Sequence, residues 1–216
     1  MFRLPLLFAT ASVLIAATGL IAATADNLIV CDEVPAMETL AKQIENRLHQ
    51  TSLITSQDKL PPALMGYRSV IVYIHNDLAE PAEVAFIDYA KSGGKLVLLH
   101  HTISSGKRKN KYWFPFLGIT LPDTYKYIDD ATWNVIPVNG DPPFTMHETE
   151  VYLNHDLDKD RTLLLKMRYN DIEQSTAGWK KNTGKGTVYY FMPGHKATDF
   201  DYEPYVRVLI GALSQK

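Results

Sequence analysis

Two regimes of hydrophobic patterning divide this chain near its midpoint. In the first half, Leu28–Cys31, Ser69–His75 and Lys95–Leu99 are nearly continuous apolar runs rich in Val, Ile and Leu, the pattern of parallel strands covered on both faces. Leu53–Thr55 predicts a further short strand. Between these runs, Glu33–Gln50 carries Met37, Leu40, Ala41, Ile44 and Leu48 at three- to four-residue spacing, with Pro35 suited to a first helical turn. A second helix opens at Pro81, presents Val84, Phe86, Ile87 and Ala90, and stops at Gly93-Gly94. From Thr102 to Asp130 the periodicity disappears. Strands are predicted again at Thr132–Val138, Val151–Leu153, Thr162–Arg168 and Thr187–Met192, and a closing helix at Glu203–Leu213. Alternation of strand and helix with short links implies right-handed crossovers and a mostly parallel sheet with helices on both faces, in one α/β domain.

The first 25 residues read separately. Arg3 gives a minimal positive region, Leu4–Ala23 holds no charge, and Ala23-Thr24-Ala25 places small residues ahead of Asp26 as at a leader cleavage site. An uncleaved anchor is the rival reading, since about 20 apolar residues span a bilayer. Both place a domain of residues 26–216 outside the cytoplasm, periplasmic or secreted, with membrane contact only if the segment is retained.

Composition narrows the function. The chain has 216 residues, 46% of them hydrophobic, and a formal charge of −2. That charge gives no field to hold nucleic acid by its phosphates. Cys31 is the only cysteine, so no intramolecular disulfide forms, and it reads as a small buried hydrophobe at a strand end. No Gly-rich dinucleotide loop, P-loop, Gly-x-Ser-x-Gly elbow or His-x-x-x-His zinc pair is present.

Candidate chemistry gathers at strand ends. Ligands of parallel α/β sheets bind beyond the carboxyl ends of the strands, and there stand His75, His100 and His101. His195 follows another apolar run in Met192-Pro193-Gly194-His195. Glu150 and Tyr152, two apart on one strand, project to the same face. Two imidazoles and a carboxylate make either a general acid/base set or a divalent metal site, with His100, Glu150 and His195 as ligands of an ion such as zinc. The polar turn around His155 predicts a surface position. Lys107–Lys111 predicts a solvated basic loop. The following Tyr112-Trp113-Phe114-Pro115-Phe116-Leu117 forms either a cap over a pocket or a minor core.

In order and spacing, Gly93-Gly94-Lys95-Leu96-Val97-Leu98-Leu99-His100, Glu150-Val151-Tyr152 and Gly178-Trp179 … Gly184-Lys185-Gly186 … Gly194-His195 resemble the ThuA-like (trehalose-utilisation) family. The resemblance implies a flavodoxin-like, class I glutamine amidotransferase-like fold. It also implies carbohydrate metabolism with a small-molecule sugar as partner. His100 stands near the place of the amidotransferase nucleophilic Cys, so thiolate-based glutamine hydrolysis is not implied. Under the resemblance, His100, Glu150 and His195 are catalytic or metal-ligating groups of a hydrolase or lyase acting on a glycoside or keto-sugar. Tyr152, Trp179, Tyr112, Trp113 and His101 bind substrate. Two departures stand out: Thr149 where the family has an acid, and Thr187 where it has Arg. A non-catalytic carbohydrate-binding module and an interaction domain with a vestigial cleft are the alternative readings.

Overall fold

The computed structural model describes residues 25–215; the leader or anchor predicted for residues 1–25 lies outside them, apart from Ala25. The first half forms as its pattern predicts. Strands β1 (Asn27–Cys31), β2 (Ser52–Thr55), β3 (Ser69–Tyr73) and β4 (Lys95–Leu99) alternate with helices α1 (Val34–Leu48) and α2 (Glu80–Ser92). Every residue of β1 and β3 is buried, which explains their unbroken apolar runs. Both helices carry Pro in the first turn.

Beyond β4 the chain makes two 3₁₀ turns, His100–Ile103 and Ser105–Lys109, and the short helix α3 (Trp113–Leu117). It continues through β5 (Ile119–Thr120), β6 (Lys126–Pro137), β7 (Phe144–Leu153), β8 (Asp156–Leu157), β9 (Thr162–Tyr169), β10 (Ile172–Thr183) and β11 (Gly186–Phe191), then a 3₁₀ turn Ala197–Asp201 and α4 (Glu203–Ser214).

Nine strands build the main sheet in the order β2-β1-β3-β4-β11-β10-β9-β6-β7. The five from β2 to β11 are parallel, in flavodoxin-like order. The connections β1–α1–β2 and β3–α2–β4 run in opposite directions along the sheet, so right-handed crossovers place α1 and α2 on opposite faces. The remaining four pairings are antiparallel. The sheet is therefore parallel in one half only, and the expectation of a mostly parallel sheet is corrected. In this sheet the unpredicted strand is β10, whose Glu173, Gln174, Lys180, Lys181 and Asn182 hide a strand that β9 and β11 hold from both sides; the short β5 and β8, unpredicted as well, pair with each other.

The β6–β7 hairpin carries the fold's main irregularity. It pairs with β9 only through Asn134–Pro137, and its register shifts between Ile128 and Trp133. Asp130 at the first of these shifts and Glu148 at the second have positive φ. Bulges of this kind bend and twist a ribbon. The bent part reaches the carboxyl ends of β4 and β11, although β7 lies at the far edge of the sheet.

Two further expectations are corrected. Lys107 is 1% exposed, and its ammonium donates to the Ile74 and His75 carbonyls at 2.9 and 2.7 Å and to Ser104 Oγ at 3.2 Å. Three acceptors at one point outweigh the cost of burying the charge, although burial still pulls its pKa down to about 8. His155 is buried, not at the surface. Burial, with the Arg161 guanidinium adding to it, pushes its pKa down to about 4. As pH falls below about 6.5 the unfolded His155 takes a proton that the folded one refuses until about pH 4, so acid costs the fold about 3 kcal/mol at this residue. Urea unfolding of His155→Gln at pH 7 and pH 4 checks this: the variant should lose correspondingly less stability on acidification, and an equal loss contradicts it.

Candidate functional site

His100 follows β4 directly, with φ of 39°, a left-handed backbone that costs a non-glycine residue about 1–3 kcal/mol. The turn buries its imidazole completely beneath the bent hairpin. Nδ1 of His100 faces the Met192 carbonyl at the end of β11. A carbonyl only accepts, so Nδ1 carries a proton and Nε2 is turned inward. That Nε2 lies 3.1 Å from Glu150 Oε1 and 3.2 Å from His195 Nδ1.

His101 completes the group. Its Nδ1 lies 3.1 Å from the Tyr152 hydroxyl. Its Nε2 is buried and without a hydrogen-bond partner. One ligand atom from each of His100, His101, Glu150 and His195 lies within 4.8 Å of the others.

The charges agree with this picture. Burial pulls the Glu150 carboxyl pKa up, but hydrogen bonds from His100 and Tyr152 and the nearby imidazoles outweigh it and bring the value down to about 2. Burial and the neighbouring imidazoles hold His101 and His195 below the usual imidazole range. The site thus presents a carboxylate beside two imidazoles, His101 and His195, whose neutral form is favoured, the protonation state a metal requires of its ligands.

His195 is fixed through its backbone. Its N–H and that of Lys196 donate to Asp199 Oδ2 at 2.9 and 3.1 Å, and the Thr149 hydroxyl donates to the same oxygen at 2.9 Å. The Tyr73 hydroxyl holds the His195 carbonyl at 2.7 Å, and Tyr205 holds that of Pro193 at 2.6 Å. Gly194, at φ of 102°, leaves no room for a Cβ against Phe200 and Tyr205. Thr149 is therefore part of the His195 anchor. Thr187 sits at the amino end of β11, opposite the cluster.

The aromatic candidates divide. Tyr152 belongs to the cluster, its ring stacked 4.9 Å from His100. Trp113 and Trp179 are fully buried. The Trp113 indole donates to the Thr102 carbonyl at 2.8 Å and braces the turn after His101 as part of a minor core. Trp179 packs on Tyr190 beneath the Arg161 guanidinium. Tyr112 is exposed and lines a separate hollow with Val84, Ile87 and Phe116.

Glu33 and His75 join the site's rim. His75 Nδ1 lies 2.9 Å from Glu33 Oε1, and the His75 ring stacks 3.9 Å from that of His101. Glu33 was not singled out in the sequence, though its place just past β1, beside the end of β3, is a signal of the same kind as the strand-end histidines.

The fold has close counterparts among solved structures. The β-galactosidase of Rahnella sp. R3 superposes with a TM-score of 0.64 at 15% identity over 87% of this chain, which corresponds to only 31% of that enzyme. A ThuA-like protein of Bacteroides uniformis ATCC 8492 matches at 0.60 and 19% identity over 86% of this chain and 88% of its own. A cytoplasmic protein of Salmonella typhimurium LT2 matches at 0.60 and 12% identity, over 87% and 97%. No curated protein matches the sequence. The ThuA profile, described as trehalose utilisation, matches residues 21–214, a span that takes in every strand and helix above. The chain belongs to the ThuA family.

Proposed function

We propose that His100, His101, Glu150 and His195 hold a divalent transition metal such as zinc, and that the loaded site processes a glycoside or keto-sugar. One observation carries the reading: Nε2 of His100, a carboxylate oxygen of Glu150 at 3.1 Å from it and Nδ1 of His195 at 3.2 Å from it converge on one buried point. Groups this close need a proton or a cation among them, and a divalent ion satisfies all three at once. Three imidazoles and one carboxylate are a donor set that suits zinc and its neighbours.

When bound, the ion would supply Lewis acidity toward a carbonyl or hydroxyl oxygen. The residues do the rest. Met192 holds a proton on His100 Nδ1 and so turns Nε2 toward Glu150 and His195, and Tyr152 meets His101 at Nδ1. Glu150 sets the local negative charge. Half-buried His195 is the member of the four reached from outside. The family description favours a sugar as substrate, and a keto-sugar carbonyl acidifies the neighbouring C–H so that one base suffices for elimination. The binding-module alternative rests on Trp179, Tyr152 and the Tyr112-Trp113 segment; Trp179, Tyr152 and Trp113 are buried, and the exposed Tyr112 lines a separate hollow. The leader reading of the first 25 residues places this chemistry outside the cytoplasm.

A turnover screen on glycosides and their keto derivatives tests the reading. Activity should vanish on chelation, return with zinc, and be absent in His195→Ala. Turnover that survives both treatments contradicts it.

A further inference from the structure

Resting on the metal reading of His100, His101, Glu150 and His195, we infer that Thr149 and Asp199 are positioning residues of that site. Together they latch the strand that carries Glu150 to the turn that carries His195. The four ligands come from three separate stretches of chain: the turn after β4, strand β7, and the segment after β11. In the sheet β11, β10, β9 and β6 all stand between β4 and β7. Strand pairing alone therefore does not set where Glu150 meets His100 and His195. A direct tie is needed, and the structure contains one.

The register shift between Ile128 and Ala131 places its extra residue on β6, so β7 runs regularly from Thr149 to Tyr152. Neighbouring side chains of a regular strand point to opposite faces. Each face of β7 makes one attachment here. On one, Glu150 Oε1 meets His100 Nε2 at 3.1 Å. On the other, the Thr149 hydroxyl donates to Asp199 Oδ2 at 2.9 Å, with Thr149 1% and Asp199 7% exposed. That same oxygen accepts the N–H groups of His195 and Lys196 at 2.9 and 3.1 Å. One buried carboxylate oxygen thus joins the residue before Glu150 to the backbone of His195. A second bond spans the same two elements, Lys196 Nζ to Asp130 Oδ1 at 3.3 Å, but its side chains are exposed and such pairs hold little. The hydroxyl at position 149 stands where the family has an acid, and a carboxylate there would repel Asp199. Removing the hydroxyl leaves Asp199 its two backbone donors, so the turn keeps its shape while the Glu150 strand loses its tie to it.

Titration of the full chain with cobalt chloride tests the latch, read by the visible absorption of the bound ion, which reports its ligand geometry. The proteins are the wild type, Thr149→Val, Thr149→Ala and Thr149→Ser. Valine keeps the shape of the side chain, and alanine removes the same hydroxyl without demanding that fit. Both should bind cobalt about tenfold or more weakly, the size of effect that loss of an outer support has on a metal site, and with an altered spectrum. Thr149→Ser keeps the hydroxyl and should restore the wild-type affinity and spectrum. Wild-type affinity and spectrum in Thr149→Val or Thr149→Ala overturn the latch and leave the metal reading standing. Equal weakening in Thr149→Ser also overturns it, because packing and not the hydroxyl would then be at work. A wild type that binds no cobalt overturns both.

Discussion

In Glu150→Gln, zinc affinity should fall by more than the roughly 10–100-fold that loss of an outer-shell partner costs, while the unfolding transition at pH 7 stays cooperative. The substitution keeps the shape of the side chain and one carbonyl oxygen, so the bent hairpin can still close over His100. What it removes is the only carboxylate among the four ligands, the group that His100 and Tyr152 hold ionised down to about pH 2. Three imidazoles would then carry the ion's charge with no anion beside them. Acidification should release the ion from the wild type for the related reason that protons compete for the same lone pairs. Isothermal titration with zinc on both proteins checks the affinity. Equal affinities would mean that Glu150 pairs with His100 as a structural ion pair and does not face a cation.

The second large effect concerns the fold. Gly186→Ala should destabilise the protein by about 3 kcal/mol or more, a large share of the roughly 5–15 kcal/mol that holds a domain together. A Cβ at this position would overlap the carbonyl oxygens of Ala90 and Gly94, backbone atoms that no rotamer change can move. The turn Gly184-Lys185-Gly186 lies against the end of α2, where Lys185 N–H donates to the Lys91 carbonyl at 3.0 Å and Thr187 N–H to that of Gly94 at 3.1 Å. These contacts seat β11 beside β4, and the seating brings Met192 and His195 to His100. The glycines of this family motif therefore act at the end of the sheet opposite the histidines. Urea denaturation measures the loss, and a variant as stable as the wild type would contradict the packing described here.

These two cases mark what the sequence made legible. The strand ends could be read because parallel strands buried on both faces show as unbroken apolar runs, and His100 and His195 follow such runs directly. Glu150 and Tyr152 could be placed on one face by the two-residue period alone. Their arrival beside His100 could not, because it depends on paired bulges near Asp130 and Glu148 that bend the edge hairpin, and no periodicity encodes them. Trp113 and Trp179 read as sugar platforms because an aromatic side chain carries no mark of whether its face is covered. Lys107 read as solvated because a charge run predicts exposure, whereas three acceptors supplied by the chain bury this one.

The central claim is that the imidazoles and carboxylate at the end of β4 enclose a metal ion. The measurement that tests it most directly is the metal content of the untagged chain, purified without chelator and desalted before elemental analysis. The structure predicts at least one equivalent of zinc or a neighbouring divalent ion, removed by prolonged chelation and restored by adding it back. A chain that emerges metal-free and takes up none when offered zinc, manganese, nickel or cobalt would contradict the account. His100 would then hold a proton between Met192 and Glu150.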